Sequence, residues 1–242
     1  MNQTALITGA AKRLGKAMAF HLAGQGWNIA IHYHSSENEA AEVKDQLSNK
    51  FPGQRFEIFR ANLADAEEVE KLIPAAIKSL GRIDMLVNNA SVFEIGSIGN
   101  TSAAFFDQHL NVNLKAPFLL SKSFFNLCKK GMIVNITDTR IVSNKGTHAA
   151  YSISKKALWE LTKMAALEFG PDIRVNAIAP GLTLPPVEKD ESYLERLSEK
   201  IAMKRPGGVE PILKSIDFII GNNYLTGQIL FCDGGENLGT TS

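Results

Sequence analysis

The chain has few cysteines, almost no net charge and no long apolar run. Its 242 residues include 2 cysteines, Cys128 and Cys232, and its formal net charge is +1. Because the two thiols are far apart and have no metal-ligand neighbours, we expect them to be reduced and buried, and we expect no metal site. The balanced charge argues against nucleic acid or an anionic membrane as a partner. No stretch has the length of a membrane span or the pattern of a signal peptide, so we expect a cytoplasmic protein.

Internal repeats, low-complexity stretches and linkers are also absent. Hydrophobic residues make up 45% of the chain, which is enough for a full core. The length is typical of one undivided α/β domain, residues 1–242. One segment, residues 180–208, is rich in proline and charge and has no regular pattern. It is predicted to be either a lid over a site or an irregular surface loop.

Apolar runs alternate with helical patterns along the chain. This alternation predicts a parallel sheet with helices on both faces, and a ligand site beyond the carboxyl ends of the strands. The second helix opens with a capping box formed by Ser36 and Glu39. The predicted strands are 4–8, 27–33, 56–60, 83–87, 132–136, 173–178 and 228–232, and the predicted helices are 17–23, 36–49, 66–80, 101–129 and 151–169.

Tyr151 and Lys155 are four residues apart, which places them on the same face of a helix. An ammonium beside a phenol favours the phenolate, so we expect Lys155 to lower the pKa of Tyr151 and to let it pass a proton near neutral pH. Asp138 follows an apolar strand, and a carboxylate there can meet a tyrosine on the next helix. A tyrosine and a lysine at this spacing usually form only a solvated helix face, so their catalytic assignment depends on the other motifs.

A glycine turn joins the first strand to the first helix. Gly9 permits a tight turn and Gly15 permits close packing, while the helix N-terminus presents N–H groups to a pyrophosphate. Arg13 stands where a middle glycine is common and could reach over the phosphates towards a substrate. The pattern predicts a dinucleotide-binding turn whose contacts are Gly9, Arg13, Leu14 and Gly15.

The end of the second strand indicates which dinucleotide binds. An NAD site needs a carboxylate near residue 33, but the first acidic residue is Glu37. One alternative is that His32 and His34 only fill the strand edge, which is favoured for His32 and less favoured for His34. Cations and hydroxyls at this helix N-terminus suit a 2′-phosphate instead, which predicts NADP(H). These residues are Lys12, Arg13, His34, Ser35 and Ser36.

The ends of later strands supply further candidates. Asn62 could meet an adenine, although a loop cap explains it nearly as well. Asn113 lies in the middle of a helix, a poor position for asparagine unless its side chain bonds something. Asp233, after the last strand, is interpreted as structural. The other predicted cofactor contacts are Leu63, then Asn89, Ala90 and Ser91 near a ribose, and Pro180, Gly181 and Thr183 near a carboxamide.

In order and spacing, these segments resemble the short-chain dehydrogenase/reductase family over essentially the whole chain. The resemblance implies a doubly wound, Rossmann-type sheet of seven parallel strands, hydride transfer with a nicotinamide cofactor, and a homotetramer built through the helices around 101–129 and 151–169. It implies that Tyr151 is the proton donor, that Lys155 holds the nicotinamide ribose, and that Asn113 holds a water in the proton relay. It also favours a lid for residues 180–208.

One departure from the family points to a branch of it. The family usually has a serine thirteen residues before the tyrosine, and Asp138 occupies that position here. With Arg13, His32-Tyr33-His34 and the stretch 89–93, this resembles the pteridine reductases and the dihydromonapterin reductases. In that branch the aspartate takes part in proton delivery. Ser35 departs from the branch, because many pteridine reductases have arginine there.

The resemblance also implies a substrate site. Phe93 corresponds to an aromatic residue that sandwiches a pterin against the nicotinamide, and Ser91 and Arg13 correspond to residues near substrate and cofactor. On residues alone, Phe93 belongs more often to a core. A flat heteroaromatic ring needs a stacking partner, and reduction of a ring C=N needs a proton on nitrogen, which Tyr151 and Asp138 can supply.

Three functions follow as hypotheses. The first is NADPH-dependent reduction of a dihydropterin to the tetrahydro form, with hydride going to a ring carbon. The second is carbonyl reduction, for example of 3-oxoacyl-acyl carrier protein; Asp138 argues against it, because a carboxylate repels a ketone oxygen unless it is protonated. The third is a non-catalytic nucleotide sensor, against which the intact Tyr151, Lys155 and Asn113 argue.

Overall fold

The structure, a computed structural model, describes residues 2–144, 146–186 and 190–239. Its seven strands form one parallel sheet in the order β3-β2-β1-β4-β5-β6-β7, with helices on both faces, which confirms the predicted architecture. Strand order reverses between β1 and β4, where a doubly wound sheet opens a binding crevice. The strands are β1 (Thr4–Ile7), β2 (Asn28–Tyr33), β3 (Phe56–Arg60), β4 (Met85–Asn88), β5 (Gly131–Ile136), β6 (Ile173–Pro180) and β7 (Ile229–Cys232).

Eight α-helices lie within the described residues. The bounds of α3 agree with the prediction, whereas α7 and α8 were not predicted. The helices are α1 (Arg13–Gly24), α2 (Glu37–Lys50), α3 (Ala66–Leu80), α4 (Ala103–Leu110), α5 (Ala116–Cys128), α6 (Ala149–Phe169), α7 (Glu191–Ser198) and α8 (Glu210–Gly221). None of them is both long enough and apolar enough to cross a membrane.

Side chains of each strand alternate between two apolar cores. In β1, Ala5 and Ile7 join the core beneath α1, α2 and α8, whereas Leu6 joins the core beneath α3, α5 and α6. Leu6 and Ile7 are completely buried. Because helices cover both faces of the sheet, the strands consist of continuous apolar runs. Since the strands are parallel, the polar residues that follow them lie together at the carboxyl edge of the sheet.

The predicted helix 101–129 is interrupted. A π-helical turn, Asn111–Lys115, separates α4 from α5, and such turns occur often at functional sites. The predicted capping box is wrong: Ser36 precedes α2 but its side chain makes no capping hydrogen bond. Glu39 pairs instead with Lys12, its carboxylate 2.6 Å from the ammonium.

The segment 180–208 is less irregular than predicted, because α7 lies within it. Residues 187–189 are outside the described residues, so its role as a lid stays a prediction. Both cysteines are free but only partly buried, which corrects the expectation of buried thiols.

Candidate functional site

Hydrogen bonds join the residues that follow β1 and β4 at the crevice. The Thr8 hydroxyl accepts hydrogen bonds from the backbone N–H groups of Asn89 (2.9 Å) and Ala90 (3.0 Å). The Asn89 side chain donates to the Thr8 carbonyl (2.8 Å). The structure therefore gives Asn89 a positioning task, and its predicted contact with a ribose stays a prediction.

The glycine turn leaves no room for side chains. A Cβ atom on Gly15 would lie 2.1 Å from the Gly9 carbonyl oxygen, and one on Gly9 would lie 3.1 Å from the Ala90 Cα. Gly9 also has a φ of +65°, a conformation that favours glycine. The N–H groups at the start of α1 have no partners within the helix. The turn thus fits the pyrophosphate of a nicotinamide dinucleotide.

Arg13 adopts the left-handed conformation, with φ 52°. Its guanidinium donates hydrogen bonds to the carbonyl oxygens of Pro185 (2.7 Å) and Leu184 (3.4 Å), in the segment after β6. The sequence predicted that Arg13 reaches over the phosphates towards a substrate. In the structure it reaches across the crevice and holds that segment.

His32 does more than fill a strand edge. Its Nδ1 accepts a hydrogen bond from the Gly9 N–H (3.0 Å), and its Nε2 donates to the Ala61 carbonyl (3.0 Å), which fixes the neutral tautomer. Burial lowers the pKa of His32 to about 4, so the ring stays neutral at physiological pH. The side chain therefore braces the glycine turn against the loop after β3. The residue was visible in the sequence, but its buried acceptor role was not.

Of the residues predicted to bind a 2′-phosphate, some are accessible at the end of β2 and one is engaged in an ion pair. His34 and Ser35 are exposed beyond β2, beside the partly exposed Ser36. Lys12 is held by Glu39. Asn62, predicted to contact adenine or to cap a loop, accepts a hydrogen bond from the Ala64 N–H (3.0 Å) and so caps the loop. Leu63 beside it is buried.

Asp138 and Tyr151 are in direct contact, as the sequence predicted. The Tyr151 hydroxyl donates a hydrogen bond to Asp138 Oδ2 (2.7 Å). Asp138 caps the short 3-10 helix Thr139–Val142, its Oδ1 accepting from the Arg140 N–H (2.7 Å). Lys155 is buried, and its Nζ donates to the Ile136 carbonyl (2.8 Å).

The expected effect of Lys155 on Tyr151 is wrong in this arrangement. Burial, and then the Asp138 carboxylate, raise the pKa of Tyr151 well above its ordinary value. Lys155 Nζ lies 5.8 Å from the centre of the phenol ring and bonds a backbone carbonyl instead. Tyr151 therefore stays protonated across the neutral range, because of its burial first and of Asp138 second.

Phe93 is a surface residue of the site rather than a core residue. Its side chain is 48% exposed. The His148 ring stacks on it, with centroids 4.6 Å apart and planes 9° apart, and the Tyr151 ring meets it edge-on at 4.7 Å. The Arg140 guanidinium carbon lies 4.9 Å from the Phe93 centroid. Neither His148 nor Arg140 was singled out from the sequence, although both lie within three residues of Tyr151 or Asp138.

Asn113 makes the hydrogen bonds that its mid-helix position predicts. Its Oδ1 accepts from the Val92 N–H (2.9 Å) and from the Ser91 hydroxyl (3.1 Å). Its Nδ2 donates to the Val92 carbonyl and to the Ser154 hydroxyl, both at 3.0 Å. The side chain thus fixes the backbone just before Phe93. Its role in holding a relay water stays a prediction.

The C-terminal strand also supports the site. Asp233, interpreted as structural, accepts a hydrogen bond from the Thr139 hydroxyl (2.7 Å), in the 3-10 helix that follows Asp138. Gly181 passes so close that a Cβ on it would lie 2.7 Å from the Asp233 Cα. Thr183 donates to the Gly181 carbonyl (3.2 Å). Contacts of Pro180, Gly181 and Thr183 with a carboxamide stay predictions.

Comparison with known proteins identifies the family. Residues 3–194 match the short chain dehydrogenase family. The chain belongs to this family. Like its members, this short-chain dehydrogenase is an oxidoreductase. It is 35% identical to an uncharacterized oxidoreductase of Thermotoga maritima, over 96% of each chain.

Two further relatives have named activities. The chain is 30% identical to the 3-oxoacyl-[acyl-carrier-protein] reductase FabG of Staphylococcus epidermidis, over 97% of this chain and 99% of that one. It is 33% identical to the FolM alternative dihydrofolate reductase 1 of Brucella canis, whose crystal structure is a complex with NADP. That structure superposes with a TM-score of 0.91 and covers 100% of this chain and 96% of its own.

We expect activity to fall as the pH rises through about 8. Burial lowers the pKa of Lys155 to about 8, against the attraction of Asp138, so the ammonium is lost far below the pH at which an ordinary lysine deprotonates. If Lys155 holds the nicotinamide ribose, kcat/KM for the reduced cofactor should decline above that pH, because this parameter reports the free enzyme. Lys155→Arg should move the decline to higher pH. A wild-type profile that stays flat to pH 10 would contradict the assignment.

Proposed function

We propose that this short-chain dehydrogenase reduces a dihydropterin with NADPH. The observation that carries the proposal is the 2.7 Å hydrogen bond from Tyr151 to a carboxylate, Asp138, beside the half-exposed ring of Phe93. A carboxyl group can hold a proton for delivery to nitrogen, and the exposed aromatic ring can stack on a flat heterocycle. The cofactor is NADP(H), in agreement with the B. canis relative, which binds NADP.

The reaction needs one hydride and one proton. A reduced cofactor held by the glycine turn and Lys155 would supply the hydride to the carbon of the ring C=N bond. Tyr151 gives its proton to the nitrogen of that bond. A phenolate beside an ionised Asp138 is unfavourable, so Asp138 takes up a proton from solvent before the step and passes it to Tyr151 as Tyr151 protonates the nitrogen. Asp138 is afterwards protonated again from solvent.

Each supporting residue has a defined contact. Asn113 holds the backbone before Phe93, His32 holds the glycine turn, and Lys155 is held by the Ile136 carbonyl at the edge of the cofactor crevice. The name of the B. canis relative, an alternative dihydrofolate reductase, also favours a pterin ring as the substrate.

Carbonyl reduction is the second candidate. The similarity to the S. epidermidis FabG protein supports it. Asp138 disfavours it, because a carboxylate at the position beside the substrate repels a ketone oxygen unless it is protonated. Within the described residues, the carboxylate already accepts the Tyr151 hydrogen bond and is not neutralised by an ion pair.

A direct comparison of substrates tests the proposal. We expect the purified protein to oxidise NADPH with 7,8-dihydrobiopterin or dihydrofolate, and to do so at least about tenfold more efficiently than with an acetoacetyl thioester. The opposite preference would favour the carbonyl reductase. No oxidation with pterins, quinones or ketones would favour a nucleotide sensor.

We also propose that the protein is a homotetramer built through the helices around 101–129 and 151–169. Large apolar side chains on α5 and α6 support this, because soluble monomers rarely expose so many on neighbouring helices. The exposed residues are Phe118, Phe125, Leu127, Met164 and Leu167.

A further inference from the structure

Arg140 is a cation without an acidic partner at the candidate site. Its backbone N–H donates to Asp138 Oδ1, which fixes it beside the reactive pair. Across residues 2–144, 146–186 and 190–239, its guanidinium takes part in no ion pair and no hydrogen bond. It lies over the Phe93 ring instead. Arg140 is partly exposed, so its N–H donors can reach an acceptor on a ligand.

His148 and Asp138 are titratable groups next to Arg140. Burial, and then the charge of Arg140, lower the pKa of His148, which stacks on the same Phe93 ring. Asp138 is the carboxylate closest in sequence, and both of its oxygens are occupied, one by the Arg140 N–H and the other by the Tyr151 hydroxyl. An anion that arrives at Phe93 therefore meets a guanidinium that is engaged in no ion pair within the described residues.

Arg140 also lines a cavity of about 540 Å³. It lies between the 3-10 helix that carries Arg140, helix α7 and the residues after β7. Lys200, in the turn after α7, adds a second cation to its wall, and Glu236 is the one carboxylate among the described residues that line it. The cavity is large enough to receive a substituent that extends from a ring stacked on Phe93.

We propose that Arg140 and this cavity form a subsite for an anionic group, a carboxylate or a phosphate, on the side chain of the substrate. The inference rests on the proposed function, since it places a dihydropterin ring at Phe93. A guanidinium binds carboxylate and phosphate through paired, charge-assisted hydrogen bonds. The substrate class is therefore a dihydropterin with an acidic side chain.

Paired substrates test the subsite. Dihydroneopterin and its 3′-phosphate differ only in the phosphate, and dihydrofolate carries carboxylates whereas dihydrobiopterin is neutral. We expect the wild-type protein to prefer at least one anionic member by about tenfold in kcat/KM, mainly through a lower KM. The pair in which the anionic member is preferred identifies the bound group as phosphate or carboxylate. Equal values within both pairs would overturn the proposal.

Arg140→Gln should abolish the preference. The ratio of anionic to neutral kcat/KM is the readout, because Arg140 also lies against Phe93 and any general loss cancels in the ratio. Arg140→Lys should keep part of the preference. Lys156→Gln is the matched control: it removes one positive charge from α6, where Lys156 bonds Asn144 outside the cavity, and should leave the ratio unchanged. A ratio that survives in Arg140→Gln would refute the subsite.

A further measurement distinguishes failure of the proposed function from failure of the subsite. If no pterin is reduced, that function falls, and calorimetric titration of the NADP⁺-loaded protein with folate and with biopterin decides the subsite. Tighter binding of folate that is lost in Arg140→Gln supports it. Equal binding of the two ligands, or no binding of either, overturns it.

Discussion

Asp138→Ser should lose pterin reduction and keep cofactor binding. We expect kcat with a dihydropterin to fall by about 10²- to 10³-fold, because a hydroxyl cannot resupply the proton that Tyr151 gives away. Serine can still cap the 3-10 helix that follows, as Asp138 does through the Arg140 N–H, so the backbone should stay in place. The dissociation constant of NADPH, measured by fluorescence titration, should change by less than about threefold.

Asp138→Asn distinguishes the role of Asp138 as a hydrogen-bond acceptor from its role in proton transfer. The amide can accept the Tyr151 hydrogen bond but cannot act as an acid, so this variant should be as inactive as Asp138→Ser. Reduction of an acetoacetyl thioester should be equal to or higher than that of the wild-type protein in both variants, since the repulsive carboxylate is gone. Pterin turnover at the wild-type rate in either variant would refute the role given to Asp138.

Gly15→Ala should destabilise the fold and abolish cofactor binding. The new methyl group would lie 2.1 Å from the Gly9 carbonyl oxygen, which is backbone and cannot rotate away. The glycine turn must then separate from α1, at a cost of about 3 kcal/mol or more. For a chain of this size, that cost corresponds to a fall in Tm of about 6–12 °C, which scanning calorimetry measures.

Gly24→Ala is the matched control. It is the same substitution in the same helix, but the nearest atom to its Cβ is Phe51 Cζ at 3.9 Å. Alanine is the better helix former, so we expect a change of less than about 1 kcal/mol, in the stabilising direction. The explanation by close approach fails if the two variants lose the same stability, or if Gly15→Ala binds NADPH normally.

The sheet was predictable because its signals are local. Each strand is a short apolar run, and buried parallel strands must have that composition. The contact between Asp138 and Tyr151 was predictable too, because Asp138 follows a strand and Tyr151 lies near the start of the next helix. Helix α8 carried a readable signal in its buried Ile212, Leu213, Ile216 and Ile219, at helical spacing, that the sequence interpretation passed over.

Other parts of the site depend on packing that no local pattern encodes. The raised pKa of Tyr151 follows from burial and from the distance to Asp138. The spacing of Tyr151 and Lys155 correctly predicted neighbours on a helix but not which carbonyl would take the ammonium. The contacts of His148 and Arg140 with Phe93 join segments about fifty residues apart, so only the fold brings them together.

The hydrogen bond between Asp233 and Thr139 has a consequence for the order in which the protein becomes active. Asp233 leaves the ribosome 94 residues after Thr139, when the strands that carry the reactive pair have already emerged. Until then, the short helix that bears Arg140 lacks its anchor. A nascent chain can therefore assemble its nucleotide-binding half early while its substrate half is still unfinished, so competence for turnover is gained only once Asp233 has emerged.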